Sequence, residues 1–248
     1  MTSAKQIYLG SQRGPALPYD SEVEYLESTG TQWIDTGVKM RNYLSFDVVF
    51  TPTGNSPGQL YDTIYGVYNG ANINVASVSC IVPSDIVGRS YGNRYMDVSK
   101  EVPISDTSYK NKLVVYHQAN DSFTVSVDGT TYNYGAFASQ QIAESTETIM
   151  LFGIRSVAFG DRYAKARLFA FKVYDGSVLV RDFIPVRFTT ELGQSEGAMY
   201  DRVSGQLFRN SGTGVFGFGT DIAGGGYKCL GYSPLRFSRF SRLWKEAA

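Results

Sequence analysis

The sequence predicts an all-β protein of antiparallel sheets, and three observations carry this prediction. Aromatic residues are abundant, with 18 Tyr and 15 Phe, and such side chains suit half-buried pleated strands. Glycine occurs 26 times and proline only 8 times, which favours tight turns between strands. Apolar residues recur with period two in several short segments, while helical periodicity is nearly absent before residue 230. We therefore expect a sandwich or barrel of many short strands.

The first predicted strands show this alternation clearly. SFDVVF at Ser45–Phe50 places Phe46, Val48 and Phe50 on one face. The apolar run at Lys112–His117 forms another strand. In SFTVSV, Phe123, Val125 and Val127 face one way, and Ser122, Thr124 and Ser126 form the wet face. Asp128-Gly129 then makes a two-residue hairpin turn into TTYNYG, because glycine accepts a positive φ without steric cost.

The later strands are longer and more apolar. Thr148–Arg155 (TIMLFGIR) is a continuous apolar run, as expected for one buried strand. Ala166–Gly176 alternates again, with Leu168, Ala170 and Lys172 opposite Phe169, Phe171 and Val173. An Asp175-Gly176 turn leads into Val178–Val186, where Pro185 should tolerate only a sheet edge or a strand end. Further on, a Ser204-Gly205 turn joins two short strands.

The chain divides into three zones. Residues 1–20 form a leader with a short strand at Gln6–Leu9, interrupted by Pro15 and Pro18. Residues 21–222 carry the strand signals. Residues 223–248 begin with a flexible AGGG joint and end in a basic, aromatic tail. No apolar stretch approaches the ~20 residues of a transmembrane helix, and the N-terminus lacks the apolar core of a secretory signal.

Composition excludes several kinds of function. The 23 basic residues balance the 23 acidic ones, so no global field favours nucleic acid. One histidine and two cysteines are too few for a His-rich metal site, a four-Cys zinc site or a disulfide framework. A Ser–His–Asp triad would have only His117 to use. On a strand, that lone histidine is expected to be a hydrogen-bonded structural side chain.

Four ordered segments resemble a known family. They are EYLESTGTQWIDTG at Glu24–Gly37, LFGIR at Leu151–Arg155, LFAFKVYDGSVLVRDFIPVR at Leu168–Arg187 and AMYDRVSGQLFRNSGTGVFGFG at Ala198–Gly219. Together they are similar to a LamG-like, concanavalin A-like jelly-roll module of the kind found in gut bacteria and their phages. The resemblance covers roughly residues 22–220 and implies a jelly-roll β-sandwich of two antiparallel sheets, one convex and one concave.

One acidic string is similar to a catalytic motif. Laminarinase-type glycosidases use Glu-x-Asp-x-x-Glu on a bulged strand, where one glutamate attacks the sugar and the other protonates the leaving group. Here Glu22, Glu24 and Glu27 have that spacing, but the middle residue is not aspartate. A regular strand places Glu22 and Glu24 on one face and Glu27 on the other. We therefore expect solvated charges at a strand edge.

The stretch Gln59–Tyr95 is the candidate carbohydrate site. Sugars stack on aromatic rings while amides, carboxylates and arginine hold their hydroxyl groups. The candidate ligand-binding residues are Tyr61, Asp62, Tyr65, Tyr68, Asn69, Tyr91, Arg94 and Tyr95. The alternative is that these tyrosines pack on sheet faces with wet hydroxyl groups.

Calcium is the one cofactor considered, because some LamG-like domains hold Ca²⁺ at the rim of the sandwich. Asp62, Asp161 and Asp201 are placed in loops by the strand pattern, but no Asp-x-Asp-x-Asp string accompanies them. We expect solvated loop aspartates, and hence no metal and no other cofactor.

The tail at Gly231–Ala248 has the pattern of an amphipathic helix. A basic stripe (Arg236, Arg239, Arg242) lies beside an apolar stripe (Phe237, Phe240, Leu243, Trp244). From residue 227 onward, five basic residues and one acidic residue give a net charge of +4. This tail is expected to dock on a virion or surface protein, on an anionic membrane surface or on its own sandwich.

These features favour a non-enzymatic binding and assembly module. The expected setting is a phage virion, as a fibre or decoration protein that contacts host glycans or neighbouring subunits and forms a homo-oligomer. No nucleic-acid partner and no transmembrane segment are expected. A bacterial cell-surface lectin is the alternative, and a glycoside hydrolase using Glu22 and Glu27 is the third possibility.

Overall fold

A computed structural model of the 248-residue chain describes residues 17–41, 43–54, 61–68, 76–81, 85–90, 98–103, 113–118, 123–127, 129–134, 144–156 and 160–222. Residues 76–81, 85–90 and 98–103 are described by their backbone alone. The leader strand at Gln6–Leu9 and the tail at Gly231–Ala248 lie outside the described residues. Within the described part of the chain, no helix has the length and apolar character needed to cross a membrane.

The described residues form strands throughout. The first ten are β1 (Ser21–Glu22), β2 (Leu26–Thr29), β3 (Ile34–Lys39), β4 (Leu44–Pro52), β5 (Tyr61–Tyr68), β6 (Ala76–Ile81), β7 (Asp85–Ser90), β8 (Val98–Pro103), β9 (Val114–Gln118) and β10 (Phe123–Val127). The others are β11 (Thr130–Tyr134), β12 (Thr148–Leu151), β13 (Gly153–Ser156), β14 (Arg162–Tyr163), β15 (Lys165–Asp175), β16 (Val178–Thr189), β17 (Ser195–Asp201), β18 (Gln206–Phe208) and β19 (Gly217–Phe218). The all-β prediction is confirmed.

These strands form two sheets. The large sheet has 11 strands along the path β11-β10-β9-β4-β15-β16-β17-β18, with β1 beside β16, β2 beside β15 and β19 beside β2. The small sheet has 8 strands along β14-β13-β5-β6-β7-β8, with β12 between β3 and β5. Its β5 and β13 run parallel, and the other pairs are antiparallel. The predicted two-residue turn after β10 is confirmed by the pairing of Val127 with Thr130.

The core lies between the two sheets, as a sandwich requires. Tyr65 of the small sheet is fully buried against the large sheet, with ring centroids 5.1 Å from Phe46 and 5.2 Å from Phe171. Phe46, Val48 and Phe50 share the core face, as the alternation predicts. The opposite face of the large sheet is called the outer face below.

The outer face is less wet than the alternation predicts. Ser126 was expected to face solvent, but it is only 5% exposed. Val49 on β4 is similarly buried, at 1% exposure. A separate apolar cluster lies on the outer face of β16 and β17 and packs against Tyr19 and Tyr200. It consists of Ile184, Val186, Phe188 and Ala198. Substantial parts of the large sheet are therefore covered on both faces.

Two predicted strands are interrupted. The run at Thr148–Arg155 is not one strand, because Phe152 adopts a φ of +60° and separates β12 from β13. Its N–H donates to the Ile64 carbonyl, and its carbonyl accepts from the Ala164 N–H. In β15 a bulge at Phe169 moves Leu168 onto the core face beside Phe171 and Val173. The predicted face of Leu168 is therefore wrong.

Pro185 also departs from its predicted place at a sheet edge or strand end. It lies inside β16, which pairs with β17 on one side and with β15 and β1 on the other. The Pro185 carbonyl accepts from the Val23 N–H, so its nitrogen points to the same side of the strand. Along this side of β16, Phe183 is the last residue that pairs with β15, and Val186 is the first that pairs with β1. This junction accommodates a residue that cannot donate.

Gly153 fills a position where no side chain fits. A Cβ built on it would lie 2.4 Å from the Arg162 carbonyl oxygen and 2.6 Å from the Met150 sulfur. We expect Gly153→Ala to lower the free energy of unfolding by about 1–3 kcal/mol, as overpacked sites do. Denaturant unfolding measures the change. Gly54→Ala is the matched control, because its Cβ would lie 3.6 Å from its nearest neighbour, and an equal loss in both variants would contradict the steric explanation.

Candidate functional site

The acidic string at Glu22–Glu27 is not arranged as a regular strand predicts. Glu22 pairs with Val186 and Glu27 with Arg167, and both partners lie on the outer face of the large sheet. The chain leaves strand geometry between β1 and β2, so Glu27 shares the face of Glu22 instead of taking the opposite one. The Glu27 carboxylate accepts from Arg167 Nε at 3.0 Å, and Glu22 accepts from the Tyr19 hydroxyl at 3.4 Å.

The candidate carbohydrate residues are only partly described. Tyr65 is not a sugar-binding residue as predicted, because its ring is fully buried in the core and cannot stack on a sugar at the surface. Tyr68, at the end of β5, is half-buried. Tyr61 and Asp62 begin β5, and the structure describes only their backbone. Asn69, Tyr91, Arg94 and Tyr95 lie outside the described residues. The same holds for the tail residues Arg236, Phe237, Arg239, Phe240, Arg242, Leu243 and Trp244.

The aspartates considered for calcium have structural partners. Asp201 is fully buried, and its carboxylate accepts from the backbone N–H groups of Asp182, Val203 and Ser204. Asp161 accepts from the Ser156 N–H at 3.1 Å. Among the described residues, no group of three or more His, Cys, Asp and Glu side chains could hold a metal ion.

A row of polar side chains crosses the outer face of the large sheet. Each member lies directly opposite the next on the neighbouring strand, because cross-strand partners share a face. This polar row consists of Asn133 (β11), Thr124 (β10), His117 (β9), Asp47 (β4), Lys172 (β15), Asp182 (β16) and Arg202, which follows β17. On five of these strands, the residue next in sequence to the row member points into the core. The row therefore lies on the face of the sheet opposite the core.

The middle of the row is a hydrogen-bonded cluster. His117 Nδ1 lies 2.5 Å from Asp47 Oδ1, and the Asp47 side chain is 9% exposed against 32% for His117. Tyr174, two residues beyond Lys172 on β15, hydrogen-bonds to the same carboxylate. The structural role expected for His117 therefore has a specific partner, and burial of Asp47 is balanced by neighbouring donors.

At the far end of the row, the Asp182 carboxylate has one hydrogen-bonded oxygen and one without a partner. Asp182 Oδ2 accepts two bonds from Arg202, with Nε at 2.9 Å and the terminal nitrogen at 2.6 Å. Asp182 Oδ1 is buried and has no hydrogen-bond partner among the described residues. A buried carboxylate oxygen without a donor is costly, and the two bonds from Arg202 to Oδ2 offset part of this cost.

The charges of the row cancel. The two carboxylates, Asp47 and Asp182, alternate with the two cations, Lys172 and Arg202, and Thr124 and Asn133 add neutral donors and acceptors. Opposite charges on adjacent strands stabilise a sheet modestly, so the row contributes to the stability of the fold. A surface with dense hydrogen-bonding groups and no net charge suits a neutral polar ligand better than an ion.

Sequence reasoning missed this site, although part of its signal was visible. The alternation placed Lys172 opposite Phe171 and Val173, and Thr124 opposite Val125, which is the correct face for both. The row draws on residues from Asp47 to Arg202, and its adjacent members Asp47 and Lys172 are 125 residues apart in the chain. Only the strand order and the register place them side by side.

No model of a known protein family matches this sequence, and no curated protein matches it.

Tyr174 gives the row a measurable signature. Burial, then the charge and hydrogen bond of Asp47, and then the charge of Asp182 raise the pKa of its hydroxyl above the ordinary value of 10.0. Since the folded-state pKa is raised, this contribution to stability is fully present below about pH 10 and falls as the pH rises further. We expect the tyrosinate absorbance that is lost in Tyr174→Phe to titrate above pH 10.

Asp47→Asn supplies the check on this prediction. Removing the carboxylate charge beside Tyr174 should bring the Tyr174 pKa down toward its ordinary value. A Tyr174 titration unchanged by this substitution, or one with a midpoint at or below 10.0 in the wild type, would contradict the arrangement.

Proposed function

We propose that this chain is a non-enzymatic binding module that recognises a neutral glycan on the outer face of its large sheet. The observation that supports the proposal is the charge-balanced polar row, in which Lys172 is half-buried and Asn133 is exposed. Glycan hydroxyl groups both donate and accept, so a sugar chain can bond to the cations and to the neutral donors and acceptors of the row. We prefer the row to the stretch Gln59–Tyr95, because Tyr65 of that stretch is buried in the core.

The chemistry of the row also favours binding over turnover. Asp47 holds His117 and Tyr174, and Asp182 holds Arg202, so each carboxylate already has a positioning task. Glu22 and Glu27, the acids of the hydrolase alternative, are likewise engaged with Tyr19 and Arg167. The proposed module accordingly binds its sugar and leaves the glycosidic bond intact, and no release of reducing ends is expected.

Lys172, a half-buried member of the row, provides the test. The purified full chain is screened against an array of neutral and acidic glycans, and the best ligand is titrated by calorimetry. Lys172→Gln should weaken binding about 10- to 100-fold, which corresponds to losing hydrogen bonds to a charged group worth about 1.5–3 kcal/mol. The melting temperature of each variant shows whether the fold is retained.

Asp221→Asn is the matched control. Asp221 forms an exposed pair with Arg187 at 2.8 Å elsewhere on the same sheet, and exposed pairs contribute little to stability. Its substitution should leave glycan affinity unchanged. The proposal fails if no glycan on the array binds the wild type. It also fails if Lys172→Gln binds the glycan as tightly as the wild type and the Asp221→Asn control do.

The setting that we propose is a phage virion, with the module acting as a fibre or decoration protein and its tail docked on another virion protein. This part of the proposal is supported by the resemblance of the four segments to LamG-like modules and by the basic, aromatic tail. Mass spectrometry of purified particles tests it. Recovery of the chain from bacterial surface fractions and not from particles would favour the cell-surface lectin instead.

A further inference from the structure

Among the described residues, β11 is the last strand at one side of the large sheet, and its own sequence contains no charge and no proline. It pairs with β10 through all five of its residues, and no other strand among the described residues pairs with it. Its residues Thr130–Asn133 are exposed, including Tyr132 at 37%. An exposed strand edge presents a line of unpaired N–H and C=O groups, which is a template for another strand.

The other path ends of the two sheets carry the usual protections. The strand β8 at the end of the small sheet contains Lys100, Glu101 and Pro103, and its opposite end, β14, has 2 residues. The strand β18, at the far end of the large sheet, has 3 residues. Charges, proline and short length are the features that prevent edge pairing. The sequence of β11, TTYNY, has none of them and is rich in residues that favour strands.

The hairpin geometry shows which groups of β11 point outward. Val127 and Thr130 flank a two-residue turn, and such flanking residues form a hydrogen-bonded pair. Hydrogen bonding to β10 then alternates along β11, so Thr130, Tyr132 and Tyr134 bond inward. The N–H and C=O groups of Thr131 and Asn133 therefore point away from the sheet.

We propose that β11 pairs antiparallel with β11 of a second copy of this chain, around a two-fold axis at Tyr132. In this register Thr131 of each copy faces Asn133 of the other, and the two pairs exchange roughly four backbone hydrogen bonds. The two Tyr132 side chains meet at the axis, where cross-strand aromatic pairs are stabilising. The contacting residues carry no charge, so no like charges meet.

The dimer would join the two large sheets into one and bring the two polar rows end to end, because each row ends at Asn133. A chain with one glycan site would then become bivalent toward a repeating surface. This consequence rests on the proposed function, whereas the dimer itself does not.

Sedimentation velocity of the full chain over a range of concentrations tests the dimer. We expect a reversible dimer in the wild type and at least a tenfold rise in its dissociation constant in Thr131→Pro and in Asn133→Pro. Each substitution removes one outward N–H group, and the hairpin bonds to β10 are retained. Thr131→Val is the matched control, because it keeps the N–H group and the strand preference, and it should dimerise like the wild type.

Circular dichroism and the melting temperature of each variant report whether the fold is kept. A wild-type chain that stays monomeric at every concentration would overturn the proposal. So would a folded Thr131→Pro variant that dimerises as well as the wild type, since the contact would then lie elsewhere. Glycan affinity is measured separately on Thr131→Pro, which keeps every side chain of the polar row, so failure of the dimer and failure of the glycan site are distinguishable.

Discussion

Truncating Phe171 to alanine is expected to lower the free energy of unfolding by about 3–5 kcal/mol, the range found for buried phenylalanines. Phe171 is fully buried between the sheets. Its ring centroid lies 5.2 Å from that of Tyr65, 6.0 Å from that of Phe46 and 6.2 Å from that of Phe183. The substitution thus removes the ring at which aromatic side chains of both sheets meet. Denaturant unfolding at constant slope measures the loss.

Phe169→Ala is the natural control for this prediction. Phe169 lies two residues away on the same strand, at the bulge, where it is half-buried and contacts Tyr25 with centroids 5.6 Å apart. Because less apolar area returns to water, we expect a loss of about 1–2 kcal/mol. If both variants lose the same stability, Phe171 is not at the centre of the core.

Replacing Gln32 by leucine is expected to lower the free energy of unfolding by about 1–3 kcal/mol, because two part-buried backbone groups lose the partners that the buried Gln32 amide supplies. Gln32 is 3% exposed. Its Oε1 accepts from the Thr29 N–H at 2.9 Å, and its Nε2 donates to the Val215 carbonyl at 3.1 Å. Leucine has a similar volume but can do neither. The midpoint of thermal or denaturant unfolding reports the change.

Gln194→Leu provides the comparison, since Gln194 is exposed in the turn between β16 and β17. A surface substitution of this kind should change stability by no more than about 0.5 kcal/mol. A Gln32 variant as stable as the Gln194 variant would show that the turn satisfies its backbone groups without the Gln32 amide.

The turn that contains Gln32 is also joined to a distant loop of the chain. The turn in STGTQWIDTG and the loop in RNSGTG are joined by backbone bonds from Ser211 to Trp33 and from Thr213 to Thr31. Asn210 Oδ1 accepts from the Trp33 N–H at 3.2 Å. A Cβ on Gly212 would lie 2.1 Å from the Thr31 carbonyl oxygen, so glycine is required where the two segments touch. Both segments therefore have a structural role in this chain.

The sequence predicted the site less well than the fold. Tyr65 and Tyr68 were grouped by composition, but a count of aromatic residues does not distinguish a core ring from a surface ring. Register does, because Tyr65 lies where β5 packs on Phe46 and Phe171. Lys172 had a correct face and no assigned role, because its neighbours Asp47 and Asp182 belong to other strands.

The sequence by itself determined the strand content, the two-residue turn at Asp128-Gly129 and the core face of Phe46, Val48 and Phe50. Alternation with period two and turn chemistry are properties of a few consecutive residues. The tertiary structure alone decided the breaks at Phe152 and Phe169, the place of Pro185 inside β16 and the assembly of the polar row. These depend on which distant strands pair and in which register, and that choice is made by hydrogen bonding and burial across the whole sandwich.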